Sequence, residues 1–288
     1  MQMKKLEGVI IAMPTPLLPN EDIDTASVCA LVDHCINQGA NGIMVLGTMG
    51  EGVSLLDNQR QLLVETTVAH AAKRIPVLAT VSATSTRRGM MYAKAIEKTG
   101  IDYLVYTSSY YYKFPDPQSL LDQLNTISDA IDLPIIFYNA PAFTGNPVDV
   151  DTLDKILQLE KVVGIKDSSC NYGSFVELLR RYPNKSERPG TIMQGDESVF
   201  DASILMGADG VISGGGVLFI QEVRALYEAA IAGNTLDAMQ LQQVFTKLLL
   251  NVLMPNPQRN WVYHIKNQLA TKGIIQYPTV SAPFLTNP

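Results

Sequence analysis

Eight short apolar segments recur along the chain, and longer segments with the periodicity of amphipathic helices separate them. Several of the short segments are apolar almost throughout instead of alternating, which is typical of parallel strands covered on both faces. The pattern therefore predicts eight buried strands joined by helices. The predicted strands cover residues 8–13, 42–47, 76–81, 103–108, 134–139, 162–167, 191–196 and 210–215.

The segments between the predicted strands carry helix-end signals. Asp24 can cap a helix that ends at Gly39. Asp57 begins the next helix, and Ser85 can cap a third. Eight strand-helix units without a break in composition predict a (β/α)8 barrel, with an open, doubly wound sheet as the alternative. In such a barrel the functional residues gather at the carboxyl ends of the strands.

Two further helical patterns follow the eighth unit, at residues 234–252 and 257–272. The proline-containing stretch 254–257 separates them, because proline cannot continue a helix. A barrel of eight strand-helix units does not include these two helices. We therefore expect a barrel domain over residues 1–232 and a C-terminal helical extension over residues 233–288 that packs on the barrel or on a neighbouring subunit.

Composition limits the classes of partner. The net charge of −6 and the absence of any run of five like charges do not fit a nucleic-acid binder. No stretch of about 18 apolar residues is present to span a bilayer, and the N-terminal residues lack the features of a signal peptide. Cys29, Cys35 and Cys170 have neither metal-ligand nor redox spacing. We expect a cytoplasmic protein without a nucleic-acid or membrane partner.

Lys166 closes the sixth apolar segment, Val162-Val163-Gly164-Ile165-Lys166-Asp167. In water a lysine amine titrates near ~10.4, but burial lowers this pKa by as much as ~3–5 units. A neutral amine can attack a ketone and form a Schiff base. The alternative is a lysine that follows the strand and reaches into solvent.

Neighbouring strand ends carry groups that can act beside Lys166. Tyr138 ends the fifth strand, and its phenol can relay protons, although a core tyrosine bonded to the backbone is the alternative. The glycine-rich turn at residues 47–52 follows the second strand, and its backbone N–H groups can form a nest for a carboxylate. The aromatic cluster at residues 110–112 is typical of packing at an interface.

The chain resembles the dihydrodipicolinate synthase and N-acetylneuraminate lyase family in ordered motifs that cover the whole barrel. They are Gly47-Thr48-Met49-Gly50-Glu51, Tyr110-Tyr111, Tyr138-Asn139-Ala140-Pro141 and Gly164-Ile165-Lys166-Asp167. The resemblance implies a pyruvate-dependent class I aldolase or lyase on a (β/α)8 barrel, usually a homotetramer. It implies no metal and no organic cofactor, because the lysine itself supplies the electron sink.

The resemblance also implies roles for individual residues. Lys166 would form the Schiff base with pyruvate or another 2-oxo acid, and Tyr138 would be the acid-base group beside it. Thr48 would bind the carboxylate and link Tyr138 to Tyr111, which would enter from the adjacent subunit. The backbone carbonyl of Ile212 on the eighth strand would approach the pyruvyl group.

Departures from the family pattern concern the second substrate and the carboxylate turn. Met49, which precedes Gly50 in that turn, replaces a second hydroxyl residue. Phe143 stands where dihydrodipicolinate synthases carry an arginine that binds the carboxylate of the aldehyde. Asp196 and Glu197 are similar to a lyase pattern that binds hydroxyls of a polyol tail, although stabilisation by a helix dipole explains them as well.

These departures favour an aldolase or lyase that reversibly cleaves a 2-oxo-3-deoxy sugar acid, or a sialic-acid-like compound, into pyruvate and an aldehyde. Dihydrodipicolinate synthesis and dehydration of a 2-oxo acid are alternatives on the same scaffold. Outside enzymes, the alternative is a catalytically silent barrel that acts as a sensor or scaffold. The identity of the aldehyde, the favoured direction and the exact oligomer stay open.

Overall fold

The structure is a computed structural model that describes residues 5–254 and 260–283. Its parallel strands are β1 (Gly8–Ala12), β2 (Gly42–Val45), β3 (Val77–Val81), β4 (Tyr103–Thr107), β5 (Ile135–Asn139), β6 (Val162–Asp167), β7 (Thr191–Gln194) and β8 (Gly210–Ser213). Each strand pairs with the next, and β8 pairs with β1, so the sheet is a closed barrel. The predicted (β/α)8 barrel is confirmed, and the open sheet is excluded.

At least one helix lies between every two consecutive strands, another follows β8, and two more form the predicted extension. The helices in the described residues are α1 (Thr25–Asn37), α2 (Asp57–Ala71), α3 (Thr86–Glu97), α4 (Pro117–Asp129), α5 (Pro141–Thr144), α6 (Val150–Leu157), α7 (Tyr172–Arg180), α8 (Phe200–Leu205), α9 (Ile220–Ile231), α10 (Thr235–Leu253) and α11 (Trp261–Thr271).

The helices begin where the capping residues predict. The Asp24 carboxylate accepts the Ser27 backbone N–H at 3.1 Å, and the Ser85 hydroxyl accepts the Arg88 N–H at 3.4 Å. Helix α2 begins at Asp57. Each cap satisfies an N–H group that the helix itself leaves without an acceptor. Local sequence therefore determines where these helices start.

The strands are buried on both faces, as their apolar composition predicts. Among all residues of the eight strands, only Val163 is not fully buried. Strands β2, β7 and β8 each end two residues before the predicted strand ends at 47, 196 and 215. The residues that follow form turns at the carboxyl edge of the barrel instead, which is where barrel enzymes place their functional groups.

Helices α10 and α11 occur close to the predicted positions, and both contribute to the core of the barrel. Phe245 of α10 stacks on Phe200 of α8, with ring centroids 6.0 Å apart. The prolines predicted to separate the two helices, Pro255 and Pro257, lie outside the described residues. The shared core joins the extension to the barrel, and a domain boundary near residue 232 stays a prediction.

No helix in the described part of the chain is long and apolar enough to cross a membrane. In the same residues, no group of three or more His, Cys, Asp or Glu side chains is arranged to hold a metal ion.

Candidate active site

Lys166 and Tyr138 face each other at the carboxyl ends of adjacent strands. They are register partners between β6 and β5, and the Lys166 Nζ lies 3.9 Å from the centroid of the Tyr138 ring. Both side chains line one cavity and are buried, with 4% of each residue exposed. Lys166 therefore does not reach into solvent, and its amine meets a phenol inside the barrel mouth.

The surroundings change the pKa of both groups. Burial lowers the pKa of the Lys166 amine, while Tyr138 and Glu197 act in the opposite direction. Burial alone would raise the pKa of the Tyr138 phenol. The Lys166 amine and hydrogen bonds with Thr48 and Ser168 outweigh it, so that this pKa is lowered. The amine and the phenol thus act on each other's protonation across the cavity.

A polar cluster holds the two strand ends in register. The Asn139 Nδ2 donates to the Asp167 carboxylate at 2.6 Å, and Ser169 donates to the same carboxylate from its backbone N–H at 3.0 Å and its hydroxyl at 2.6 Å. Burial raises the pKa of Asp167, although these hydrogen bonds oppose the shift. Because Asp167 follows Lys166 directly, the cluster fixes the backbone that carries the amine.

The turn after β2 presents Thr48 to Tyr138. The backbone passes so close to itself that a Cβ at Gly52 would lie 2.0 Å from the Leu46 carbonyl oxygen. The Thr15 hydroxyl donates to the Gly50 carbonyl at 2.6 Å and braces the turn from the side of β1. The carboxylate nest expected from the N–H groups of this turn stays a prediction.

The cavity that contains Lys166 has a volume of about 430 Å³. It brings together most of the residues that the sequence proposes for the site: Thr48, Met49, Tyr138, Phe143, Lys166, Asp196, Glu197 and Ile212. Gly50 supports the turn behind Thr48 and is not part of the lining. A second cavity of about 380 Å³ shares Thr48, Tyr138, Phe143 and Trp261 with the first, so these residues line both.

Tyr111 lies outside both cavities of its own chain. It adopts a positive φ of 82°, is 79% exposed, and packs edge-on against Tyr112 with ring centroids 5.0 Å apart. The predicted role of Tyr111 in the site of a neighbour stays a prediction.

Phe143 lies on the four-residue helix α5, is 57% exposed, and lines both cavities. Among the described residues that line either cavity, Lys166 is the only lysine or arginine. An anionic aldehyde would therefore find no guanidinium on these walls. The apolar ring favours contact with uncharged groups.

The two acidic residues after β7 differ in their surroundings. Asp196 Oδ1 accepts the backbone N–H and the hydroxyl of Ser198 at 3.0 and 2.7 Å. Glu197 is more strongly engaged, because its Oε1 accepts the Ser213 hydroxyl and the N–H groups of Gly215 and Gly216 at 2.9 and 3.2 Å. Burial raises the pKa of Glu197, against these hydrogen bonds. Glu197 thus holds the turn after β8, and its contact with a substrate hydroxyl stays a prediction.

Among the cavity residues that the sequence did not predict, Ser168 and Trp261 bear most directly on the site. Ser168 lines it and hydrogen-bonds with Tyr138, and its position two residues after Lys166 was the available signal, because residues i and i+2 of an extended chain share a side. Trp261, the single tryptophan of the chain, lines both cavities from the start of α11. No local pattern indicates that contact, because it depends on how the extension packs.

Comparison with known proteins gives one family. The model of the dihydrodipicolinate synthetase family matches residues 5–287. The 4-hydroxy-tetrahydrodipicolinate synthase of Nitrosomonas europaea is 32% identical over 247 residues, which cover 86% of this chain and 83% of that protein. Further curated relatives carry the same synthase name, so the expected preference for the lyase branch finds no support among them.

Solved structures agree with this result. The dihydrodipicolinate synthase of Aquifex aeolicus superposes with a TM-score of 0.88 at 26% identity, covering 98% of this chain and 93% of that one. The chloride-inhibited dihydrodipicolinate synthase of Acinetobacter baumannii, complexed with pyruvate, gives a TM-score of 0.87 at 28% identity and covers 96% and 92%.

Proposed function

Because this chain belongs to the dihydrodipicolinate synthetase family, we propose that it is a pyruvate-dependent enzyme of the aldolase type. The observation that carries the proposal is the buried Lys166 amine, with its lowered pKa, beside the Tyr138 phenol. Pyruvate, with which the Acinetobacter baumannii relative is complexed, is the expected first substrate. A catalytically silent barrel does not require an amine in this environment.

The chemistry begins with nucleophilic attack. The neutral Lys166 amine adds to the C2 carbonyl of pyruvate and gives a carbinolamine. In this addition one proton moves from the nitrogen to the carbonyl oxygen, which becomes the carbinolamine hydroxyl. The Tyr138 phenol then gives its own proton to that hydroxyl, which departs as water and leaves a protonated iminium. The Tyr138 phenolate accepts a proton from C3 and gives the enamine. The C3 carbon bonds to an aldehyde carbon while Tyr138 returns its proton to the aldehyde oxygen, and hydrolysis of the new iminium frees Lys166.

Thr48 and the turn that carries it supply the site for the pyruvate carboxylate. The hydroxyl and the N–H groups of the turn offer hydrogen bonds that a carboxylate accepts, and hydrogen bonds to charged groups contribute about 1.5–3 kcal/mol each. Because Thr48 also hydrogen-bonds with Tyr138, a bound carboxylate would lie next to the proton relay. The first substrate would thus be oriented with its ketone toward Lys166.

The second substrate has two candidates, each with its own support. The names of the curated relatives favour a synthase, which by the family resemblance condenses pyruvate with aspartate semialdehyde. Phe143 and the absence of a second cationic residue among the described lining residues favour an uncharged hydroxyaldehyde, formed or released with a 2-oxo-3-deoxy sugar acid.

Assembly is part of the proposal. Tyr111 and Tyr112 are 79% and 73% exposed, and two adjacent exposed aromatic rings fit contact with a second copy of this chain. We therefore extend the proposal to a homotetramer in which Tyr111 reaches the Thr48 and Tyr138 of a neighbouring subunit.

Borohydride reduction in the presence of pyruvate tests the proposed function. Reduction of the Schiff base leaves one 1-carboxyethyl group, which peptide mass spectrometry should locate on Lys166. Lys161→Ala is the matched control, because Lys161 precedes the same strand and donates to carbonyl oxygens of Ser128 and Ile131 outside the cavity. This control should be trapped as the unmodified protein is, whereas Lys166→Ala should not. An unmodified Lys166, or an adduct on another lysine, would refute the mechanism.

A further inference from the structure

We infer that a buried ion pair between Glu51 and Lys266 positions the turn that carries Thr48, so that the C-terminal extension controls how well the site binds a carboxylate. The inference rests on the proposed function for the identity of that carboxylate. Neither residue lines the Lys166 cavity. Glu51 lines the second cavity, but both of its carboxylate oxygens are engaged, by Lys266 and by the Ser281 N–H. Both are therefore positioning residues.

The groups that bond to the Glu51 carboxylate, and the further group that bonds to Lys266, belong to the C-terminal extension. Lys266 of α11 donates from Nζ to Glu51 Oε1 and, at 2.7 Å, to the Thr279 carbonyl oxygen. Glu51 Oε2 accepts the Ser281 backbone N–H at 2.6 Å. The two side chains are 0% and 1% exposed. Both carboxylate oxygens of Glu51 are thus held by residues that follow the barrel.

Glu51 lies within the turn itself, three residues after Thr48. Its backbone has a φ of 52°, a left-handed conformation that a side chain with a Cβ seldom adopts. The Glu51 N–H donates to the Thr48 carbonyl at 3.1 Å, and the Gly52 N–H donates to the Gly47 carbonyl at 3.2 Å. Since the turn closes on itself through these bonds, fixing Glu51 also fixes the backbone of Thr48.

Stability alone does not explain the pair. Taking two charges out of water costs as much free energy as their attraction returns, and an apolar pair of similar volume often serves stability as well or better. What a buried pair with defined hydrogen bonds adds is a fixed position for both side chains. Here the fixed side chain is that of Glu51, which belongs to the turn that presents Thr48. The pair therefore serves the binding of a carboxylate and not only stability.

The chain contains a matched control for this pair. Arg188 Nη1 donates to Asp209 Oδ2, and the two side chains are 2% and 4% exposed. Arg188 precedes β7 and Asp209 precedes β8, so this pair lies at the amino-terminal edge of the barrel, opposite to the site. Variants without the Arg188–Asp209 pair therefore measure the effect of losing a buried ion pair while the turn that carries Thr48 is unchanged.

The experiment compares two double variants, Glu51→Gln with Lys266→Met and Asp209→Asn with Arg188→Met. Hydrogen exchange of residues 46–54 is measured without ligand, and half-saturation for pyruvate is measured by borohydride trapping. We expect faster exchange only in the first variant. Its half-saturation should rise at least about tenfold, since one weakened hydrogen bond to a carboxylate corresponds to that factor. Glu51→Gln alone, which keeps an acceptor for Ser281, is a milder second variant with the same expected direction.

Three results would overturn the inference. The first is unchanged exchange of residues 46–54 in the folded Glu51 variants. The second is an equal change in the Asp209 and Arg188 variant, which would assign the effect to general stability. The third is a pyruvate half-saturation within about twofold of the unmodified protein, which would exclude a role in binding. If the unmodified protein is not trapped by pyruvate at all, the proposed function fails, while the exchange comparison still decides the coupling.

Discussion

Replacing Phe143 with arginine should give the cavity a cationic group that binds a second carboxylate. Phe143 lines both cavities beside Tyr138, where an arginine would present its guanidinium to the second substrate. A charge-assisted hydrogen bond contributes about 1.5–3 kcal/mol, and the lower end applies because position 143 is 57% exposed and solvent screens the pair. With about 1.4 kcal/mol per factor of ten, the Phe143→Arg change should raise kcat/KM for aspartate semialdehyde about tenfold.

The assay compares kcat/KM for condensation of pyruvate with aspartate semialdehyde and with glyceraldehyde. Phe143→Gln is the control, because it introduces polarity without charge and should leave the ratio of the two values unchanged. The gain of the arginine variant should also fall as salt is added, since exposed charges are screened. An equal gain for glyceraldehyde would refute the electrostatic reasoning. A clear preference of the unmodified protein for aspartate semialdehyde would show that another group already binds its carboxylate.

Three further predictions concern the proton relay and the assembly. Ser168→Ala should move the pH profile of Schiff-base formation upward, because the lost hydrogen bond helps to lower the pKa of Tyr138. Ser186→Ala, which removes an exposed hydroxyl bonded to Asn184 outside the cavity, should leave the profile in place, and an unmoved profile in the Ser168 variant would contradict the assignment. Trapping on Lys166 should reach half its maximal rate below pH ~10.4, because burial lowers the pKa of the amine and its nucleophilic form persists at lower pH than in an exposed lysine. A midpoint at or above that pH would contradict this prediction. Mixing Lys166→Ala with Tyr111→Phe subunits should restore part of the activity that each variant lacks, and a fully active monomer would argue against a shared site.

The sequence was sufficient for the barrel and for the meeting of Lys166 with Tyr138. Both residues end apolar segments, and consecutive segments of this kind become adjacent parallel strands whose carboxyl ends lie together. A residue at the carboxyl end of a predicted strand is therefore expected at the carboxyl edge of the barrel, beside the residues that end the neighbouring strands. Thr48 and Ile212 were expected at the cavity from the family resemblance, and both line it, Thr48 after β2 and Ile212 within β8.

Features that depend on packing between distant segments could not be predicted in this way. Glu51 and Lys266 are 215 residues apart, and no periodicity connects them. Trp261 reaches the cavities only because α11 folds back over the barrel. Packing also limits what could be predicted for Glu197. Its acidic side chain suggested a contact with a ligand, but in the structure its hydrogen bonds hold the turn after β8.

The short helix that carries Phe143 has a consequence for how such a protein can diverge. Lys166 and Tyr138 belong to fully buried strand ends, where most replacements disturb packing and cost stability. Phe143 is largely exposed on a four-residue segment outside the barrel wall, and replacements at such positions usually change stability by no more than about 0.5 kcal/mol. Selection can therefore act on the choice of second substrate at this position while the carbon-carbon chemistry is inherited unchanged, and no stabilising mutation has to come first.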